Sequence, residues 1–216
     1  EKKVEVIVEK PIVVVEKKEI GVLYARLEKE GFVWSDRSDN FKDGKYVGET
    51  ENGKPNGLGT YTWNGDKYDG EWKDGQWDGS GSLTYNDGRK YVGEFKGSAK
   101  NGRGTLTYPD GRKYVGIFKN GKPIGQGVFF DTDGSKFEGA YKDGKRDGHG
   151  TFTESDGRKY VGIFKNGVPN GQGTLFFPDK TKVIAEWKDG KPLNGAHYDK
   201  NKNIIGKFVN GKRKKQ

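Results

Sequence analysis

A 23-residue period runs through most of this chain. Aligned on an aromatic residue followed two positions later by glycine, the register begins at Tyr46, Tyr68, Tyr91, Tyr114, Phe137, Tyr160 and Val183, with spacings of 22, 23, 23, 23, 23 and 23 residues. A truncated eighth unit starts at Ile204, with Gly206, Phe208 and Gly211 in register. Such a period marks a stacked array of small units, each unable to bury its apolar side alone. Composition points the same way. Only 30% of residues are hydrophobic, against 36 glycines and 11 tyrosines, too little aliphatic material for an ordinary compact core. Disordered chains are poor in aromatics, whereas 13% of this one is aromatic and evenly spread. A thin, regular layer is the remaining solution.

The second unit shows how it is built. Tyr68-Asp69-Gly70-Glu71-Trp72 reads as a strand, and Lys73-Asp74-Gly75-Gln76 as a turn, because Asp-Gly tolerates positive φ. Gly79 to Tyr85 reads as the return strand and Asn86-Asp87-Gly88-Arg89 as the next turn. Each unit is one β-hairpin, and strands joined only by tight turns are antiparallel neighbours. Side-chain alternation predicts that Tyr68, Gly70 and Trp72 share a face with Gly79, Gly81, Leu83 and Tyr85. Rings lying across cross-strand glycines cover backbone that glycine leaves bare. The inner layer is then a stacked aromatic ladder of Trp72, Phe95, Phe118, Tyr141, Phe164 and Trp187.

Tyr68-x-Gly70-Glu71-Trp72-x-x-Gly75-x-x-x-Gly79-x-Gly81 resembles the MORN motif (membrane occupation and recognition nexus) at every position. The match recurs through residues 46–182 and decays toward 211. Thr50 stands where the first unit expects an aromatic, Ala185 replaces glycine in the seventh, and Pro192-Leu193-Asn194-Gly195 is irregular, as array ends tend to be. The resemblance implies an all-β fold: an elongated, twisted antiparallel sheet of consecutive hairpins. About fifteen strands at ~4.8 Å give a sheet on the order of 70 Å long.

Three regions follow. Residues 1–40 form an N-terminal extension, 41–206 the array of seven units and the start of an eighth, and 207–216 the end of the last unit with a basic tail. In the extension, Val4, Val6, Val8 and Ile12 to Val15 predict one or two strands interrupted by Pro11. Residues 16–30 predict a short amphipathic helix with Ile20, Leu23, Tyr24 and Leu27 on one face and Gly31 at its end, an internal cap more than a membrane helix. The Val-rich strand can pair with a partner's sheet edge or become ordered in an assembly. Residues 1–30 carry seven basic and seven acidic side chains, so the net charge of +9 lies elsewhere. Five basic residues and no acid fall in 207–216.

Two candidate surfaces emerge. The face opposite the rings is polar in most units, with Glu49, Glu71 and Glu94 beside threonines and serines. In units four to six Ile117 and Ile163 replace the motif's glutamate, with Ala140 between them. Val128, Phe130 and Phe176 replace threonine, and Val115 and Val161 share that side. Either the chain's own N-terminus covers this apolar patch or a partner protein does. The second surface is a basic ladder. Lys45, Lys67, Lys90, Lys113, Lys136, Lys159 and Lys182 precede the first strand of each unit, with Arg89, Arg112 and Arg158 beside three of them. One lysine per hairpin would meet lipid phosphates at ~10 Å intervals, joined by Lys212, Arg213, Lys214 and Lys215. Turn acids run in parallel at Asp66, Asp87, Asp110, Asp133, Asp156 and Asp179, so the ladder equally suits turn solvation or protein contacts.

Enzyme readings do poorly. There is no cysteine, and the two histidines, His149 and His197, do not recur across units. Asp131-x-Asp133-Gly134 lacks the further ligands of a calcium loop. The Gly-x-Gly triplets precede strands and not helices, so they are no phosphate loops. MORN arrays occur beside catalytic domains in lipid kinases and methyltransferases, but none fits in this chain. Neither cofactor nor metal is expected. The basic excess is modest and the aromatics are needed inside, which argues against nucleic acid. The expectation is a non-catalytic scaffold that binds protein partners along its sheet and through residues 1–30, as part of a larger assembly, with self-association open. The alternative is a peripheral membrane adaptor using the lysines and the tail. No window approaches 18 apolar residues. The chain also lacks methionine, so either a removed export signal or a start upstream accounts for its beginning. Export to the periplasm or cell surface is the expectation, and a membrane-peripheral cytoplasmic site the alternative.

Overall fold

A computed structural model describes residues 19–29, 31–38 and 44–214. They form one sheet of eighteen strands. The strands are β1 (Glu19–Glu28), β2 (Gly31–Ser35), β3 (Gly44–Glu51), β4 (Lys54–Trp63), β5 (Asp66–Lys73) and β6 (Gln76–Thr84), then β7 (Lys90–Lys96), β8 (Ala99–Thr107), β9 (Lys113–Lys119), β10 (Lys122–Phe130), β11 (Lys136–Lys142) and β12 (Lys145–Thr153). β13 (Lys159–Lys165), β14 (Val168–Phe176), β15 (Lys182–Lys188), β16 (Lys191–Tyr198), β17 (Ile204–Val209) and β18 (Lys212–Lys214) complete it. From β3 onward each strand pairs antiparallel with the next, so the expected hairpin array is what forms.

Turn chemistry sets this topology. Asp74 and Gly75 adopt φ of 51° and 81°, the two-residue turn whose twist matches antiparallel strands. The turn also ties units together. The Gly75 amide donates to the Pro55 carbonyl of the preceding hairpin at 2.9 Å, Ser98 to Trp77 at 3.0 Å and Gly121 to Lys100 at 2.9 Å.

The core is a single layer of rings on one face. Tyr46, Tyr68, Tyr91 and Phe137 are fully buried, each lying over a cross-strand glycine pair. A Cβ built at Gly81 would sit 2.6 Å from the Tyr68 hydroxyl oxygen, and one at Gly104 only 2.3 Å from that of Tyr91. No side chain larger than glycine fits there. The ladder is not stacked directly. Its members meet edge-to-face through the tyrosine of the previous unit: Tyr68 with Phe95 at 5.0 Å, Tyr91 with Phe118 at 5.0 Å, and Tyr160 with Trp187 at 5.0 Å. This is the geometry aromatic quadrupoles favour. Burial pushes the Tyr91 and Tyr160 phenols up to about 12, so the layer stays uncharged near neutrality.

Gly79 departs from the expected alternation. The register shifts between Gly70 and Trp72, and Gly79 takes a φ of 105° in the resulting bulge. A Cβ there would meet the Glu71 side chain on the opposite face at 2.6 Å. Gly57, Gly102, Gly148 and Gly171 repeat this conformation, with φ of 98° to 114°.

The predicted helix over 16–30 is corrected: residues 19–28 form a strand. Gly21 pairs with Gly48 and Leu23 with Tyr46, as Gly81 pairs with Gly70 and Leu83 with Tyr68. β1 is thus the return strand of an incomplete unit, with Leu23 and Ala25 buried while Ile20 and Val22 are exposed. Array pairing overrides the helical spacing of Ile20, Leu23 and Tyr24. β2 returns along β1 and sets Phe32 and Trp34 on the aromatic layer. Trp34 lies 5.4 Å from Tyr61 and 5.7 Å from Trp72. The cap is therefore a hairpin, and it covers the rings of the first two units. The Val-rich stretch 1–17 lies outside the described residues.

Candidate binding surfaces

Pairing register converts the alternate residues of every strand into rows that run across the sheet. On the face away from the rings one row reads Val22, Val47, Thr60, Asp69, Ser82, Val92, Thr105, Val115, Val128, Glu138, Thr151, Val161, Thr174, Ile184. The row beside it interleaves the lysines with the neighbouring strand: Lys67, Thr84, Lys90, Thr107, Lys113, Phe130, Lys136, Thr153, Lys159, Phe176, Lys182. The lysine ladder and the apolar patch, two surfaces when read from the sequence, are therefore adjacent rows of one face.

The patch residues come together there. Val115 pairs with Val128, and Phe130 with both Lys113 and Lys136. Val115, Ile117, Phe130, Val161 and Phe176 are 38–41% exposed, and Val128, Ala140 and Ile163 are partly so. β1 joins the sheet edge and β2 packs on the ring face, so neither described N-terminal strand covers the patch.

Charges on this face are unevenly committed. Lys67 pairs with Asp69 at 3.2 Å and Lys136 with Glu138 at 3.1 Å. Lys113 lies 5.1 Å from the Phe130 ring centroid. Lys90, Lys113, Lys159 and Lys182 have Val92, Val115, Val161 and Ile184 two residues on, where the paired lysines have an acid. The turn arginines are engaged within their own loops: Asp87, Asp110 and Asp156 hold Arg89, Arg112 and Arg158 at 2.7 Å. Backbone amide donation from each arginine, ahead of its charge, keeps those carboxyls below the usual range.

The glutamate of each early unit has a role that sequence alone did not disclose. Glu49 accepts from the Leu58 amide at 3.0 Å, Glu71 from Ser80 at 2.9 Å and Glu94 from Arg103 at 3.1 Å. Each carboxylate caps an amide that the bulge withdraws from the ladder. Ile117, Ala140 and Ile163 have no acceptor at the same place in units four to six. The ring tyrosines register the difference. Their hydroxyls donate to the carbonyl of this same residue at 2.5, 2.8 and 3.0 Å for Tyr46, Tyr68 and Tyr91, but at 3.5 and 3.3 Å for Tyr114 and Tyr160.

Hollows on this face follow the same division. Around the first two units one of about 810 Å³ is lined by Glu49, Glu51, Glu71, Asp74 and Asp78. Further along lie two shallow troughs, of about 460 Å³ beside Val92, Arg103, Val115 and Ile117 and of about 380 Å³ beside Glu138, His149, Thr151 and Val161, with Gln126 bordering both.

The basic tail is not a free terminus as far as Lys214. Arg213 pairs with Phe208 on β17 and donates to Nδ1 of His197 at 3.0 Å. That places the imidazole proton on Nε2, 3.3 Å from the Thr181 hydroxyl. Desolvation and then Arg213 push the His197 pKa down, against Asp179. Among the described residues no three His, Asp or Glu side chains gather as a metal site, and no helix is long and apolar enough to cross a membrane. Lys215 lies outside the described residues.

Among solved structures the chain is similar to the TCP domain of Drosophila melanogaster SAS-4 in complex with a proline-rich motif of Ana2. That match has 12% identity and a TM-score of 0.40, over 86% of this chain and 99% of that one. It is also similar to the G-box domain of the microcephaly protein CPAP (16%, TM-score 0.37, 90% and 97% covered) and to the wild-type TCP10 domain of Danio rerio CPAP (15%, 0.33, 86% and 99%). Comparison with curated proteins finds no match. The MORN repeat matches residues 46–65, 68–88, 91–111, 114–136, 137–157 and 160–182, six consecutive units that cover more than half the sequence. The chain belongs to the MORN repeat family.

Proposed function

We propose that this protein is a non-catalytic scaffold that binds protein partners on the outer face of units four to six. The observation that carries the reading is the exposed Ile117 and the partly exposed Ile163 where the first three units carry Glu49, Glu71 and Glu94, beside Phe130 and Phe176 where those units carry threonine. Exposed apolar residues grouped on one face mark contacts. A chain retained from the native source by chemical cross-linking tests it. Capture by the full chain should be lost in the Ile117→Glu/Ile163→Glu variant, and capture unchanged by both substitutions would refute the reading. The same experiment on a chain lacking residues 1–30 asks whether the N-terminal segment supplies a second contact.

A second reading, a peripheral membrane adaptor, draws support from the exposed lysine row and the Lys212, Arg213, Lys214 edge strand. Binding to anionic vesicles through these lysines should fall steeply as salt rises, while an apolar contact should change little.

A further inference from the structure

Within the patch, one position has lost the carboxylate cap without gaining bulk. Ile163 folds back over Gly171, where an added Cβ would meet its side chain at 3.2 Å. Ala140 leaves only a methyl group, and its unit's bulge residue is His149, the counterpart of Leu58, Ser80 and Arg103. The two troughs that border Gln126 run in series across the strands, so they suit an elongated occupant. Its charge is set by the rims. Lys113 and Lys159 stand on one side, and Arg103, Gln126 and His149 alternate with Ile117, Ala140 and Ile163 on the other, while the acid between them, Glu138, is held by Lys136 at 3.1 Å.

Periodicity selects the occupant's backbone. One unit advances two strands, ~9.6 Å. Three residues of an extended strand span about that distance, but its side chains alternate with period two, so successive units would meet opposite faces. A polyproline helix matches with ~9.3 Å per turn, but it docks into aromatic-lined grooves, and the floor here is the aliphatic Val115, Ile117, Val161 and Ile163. An α-helix satisfies its own backbone and returns to the same face after seven residues, ~10.5 Å. Over β9–β14, ~24 Å, that is about sixteen helical residues, and the small drift is within the reach of lysine side chains.

We propose that an acidic amphipathic α-helix docks across units four to six. Its apolar stripe lies on Val115, Ile117, Val161 and Ile163, and a carboxylate sits over Ala140 to accept from the His149 bulge amide as Glu71 accepts from Ser80. The inference rests on the protein-binding reading above and specifies the partner's chemistry.

The test uses the full chain and a labelled 21-residue peptide of helix-forming residues, with leucines at the first and fourth positions of each heptad and glutamates flanking them. A scrambled peptide of the same composition is the control. Fluorescence anisotropy should show saturable binding of the ordered peptide and at least tenfold weaker binding of the scrambled one. Ala140→Glu restores the residue that other units carry, so the fold is kept, and it fills the site with the chain's own carboxylate. It should weaken the peptide at least tenfold, as should Lys113→Glu/Lys159→Glu. No binding, equal binding of the scrambled peptide, or an Ala140→Glu chain with unchanged affinity would overturn the proposal. So would binding of phosphatidylserine vesicles through Ile117 and Ile163 by a chain that ignores the peptide. If the peptide fails while native capture still depends on Ile117 and Ile163, the helix falls and the protein-docking reading stands. If capture is also indifferent to them, both fall.

Discussion

Units one to three and units four to six share an inner face and differ on the outer one. Inside, both halves set a ring over a glycine pair and pack the next unit's aromatic edge-on. Outside, the first half closes each bulge with its own glutamate, and the second half substitutes isoleucine or alanine. Ring packing links every unit to the next, so a local departure would propagate. A bulge cap concerns one hairpin, so its carboxylate can be given up for an apolar surface at a local cost.

The largest effect is expected on the shared face. Gly81→Ala and Gly173→Ala would each force a Cβ to within 2.6 and 2.2 Å of a tyrosine hydroxyl, destabilising by about 3 kcal/mol in both halves, at the upper end for overpacking. Unequal losses in chemical denaturation would show that the inner faces are not equivalent. Next come the caps. Glu71→Ile should cost about 1–2 kcal/mol, whereas Ile163→Glu, at a bulge whose Gly171 shares the Gly79 conformation, should stabilise by about 1 kcal/mol, since a charge-assisted bond to an exposed bulge amide is exchanged in opposite senses. Denaturation midpoints moving in the same direction for both would remove the capping role.

A smaller effect is expected from the tyrosine hydroxyls. Tyr68→Phe should lose about 1 kcal/mol. Tyr114→Phe should lose about half as much, because its hydroxyl is 3.5 Å from the carbonyl where that of Tyr68 is 2.8 Å. Equal losses in urea titrations would mean that the cap does not tighten this bond. The smallest lies beyond the compared units. His197 has a lowered folded pKa, so the folded state binds fewer protons than the unfolded one. Stability that is full above the unfolded value of about 6.5 declines as pH falls through it toward the folded value. Protection of the β18 amides, taken relative to their intrinsic exchange rates, should fall on mild acidification, and His197→Gln should abolish that dependence.

Much of this was legible in the sequence. Asn-Gly and Asp-Gly turns and strand alternation are local signals, so the hairpins, the ring face and the apolar patch could be read from residue identities. The bulge could not. Gly79 and Gly81 look alike in Gly-x-Gly, and only the register shift shows that one turns outward. The role of Glu71 depends on that shift and was hidden with it. β1 misled because Ile20, Leu23, Tyr24 and Leu27 fit a helical stripe. Gly21-x-Leu23 also matches Gly81-x-Leu83, but the preceding glycine of the motif is absent, and the partner strand begins some twenty residues on. The shared face of the lysine ladder and the patch follows from parity, since Lys113, Val115 and Ile117 alternate along one strand.

Stability and capture can be read together in one chain, Ile117→Glu/Ala140→Glu/Ile163→Glu. If units four to six have exchanged bulge caps for a docking surface, its melting temperature should rise above that of the native chain while cross-linked partner is lost. A lower melting temperature, or partner retained at the native level, would contradict the exchange.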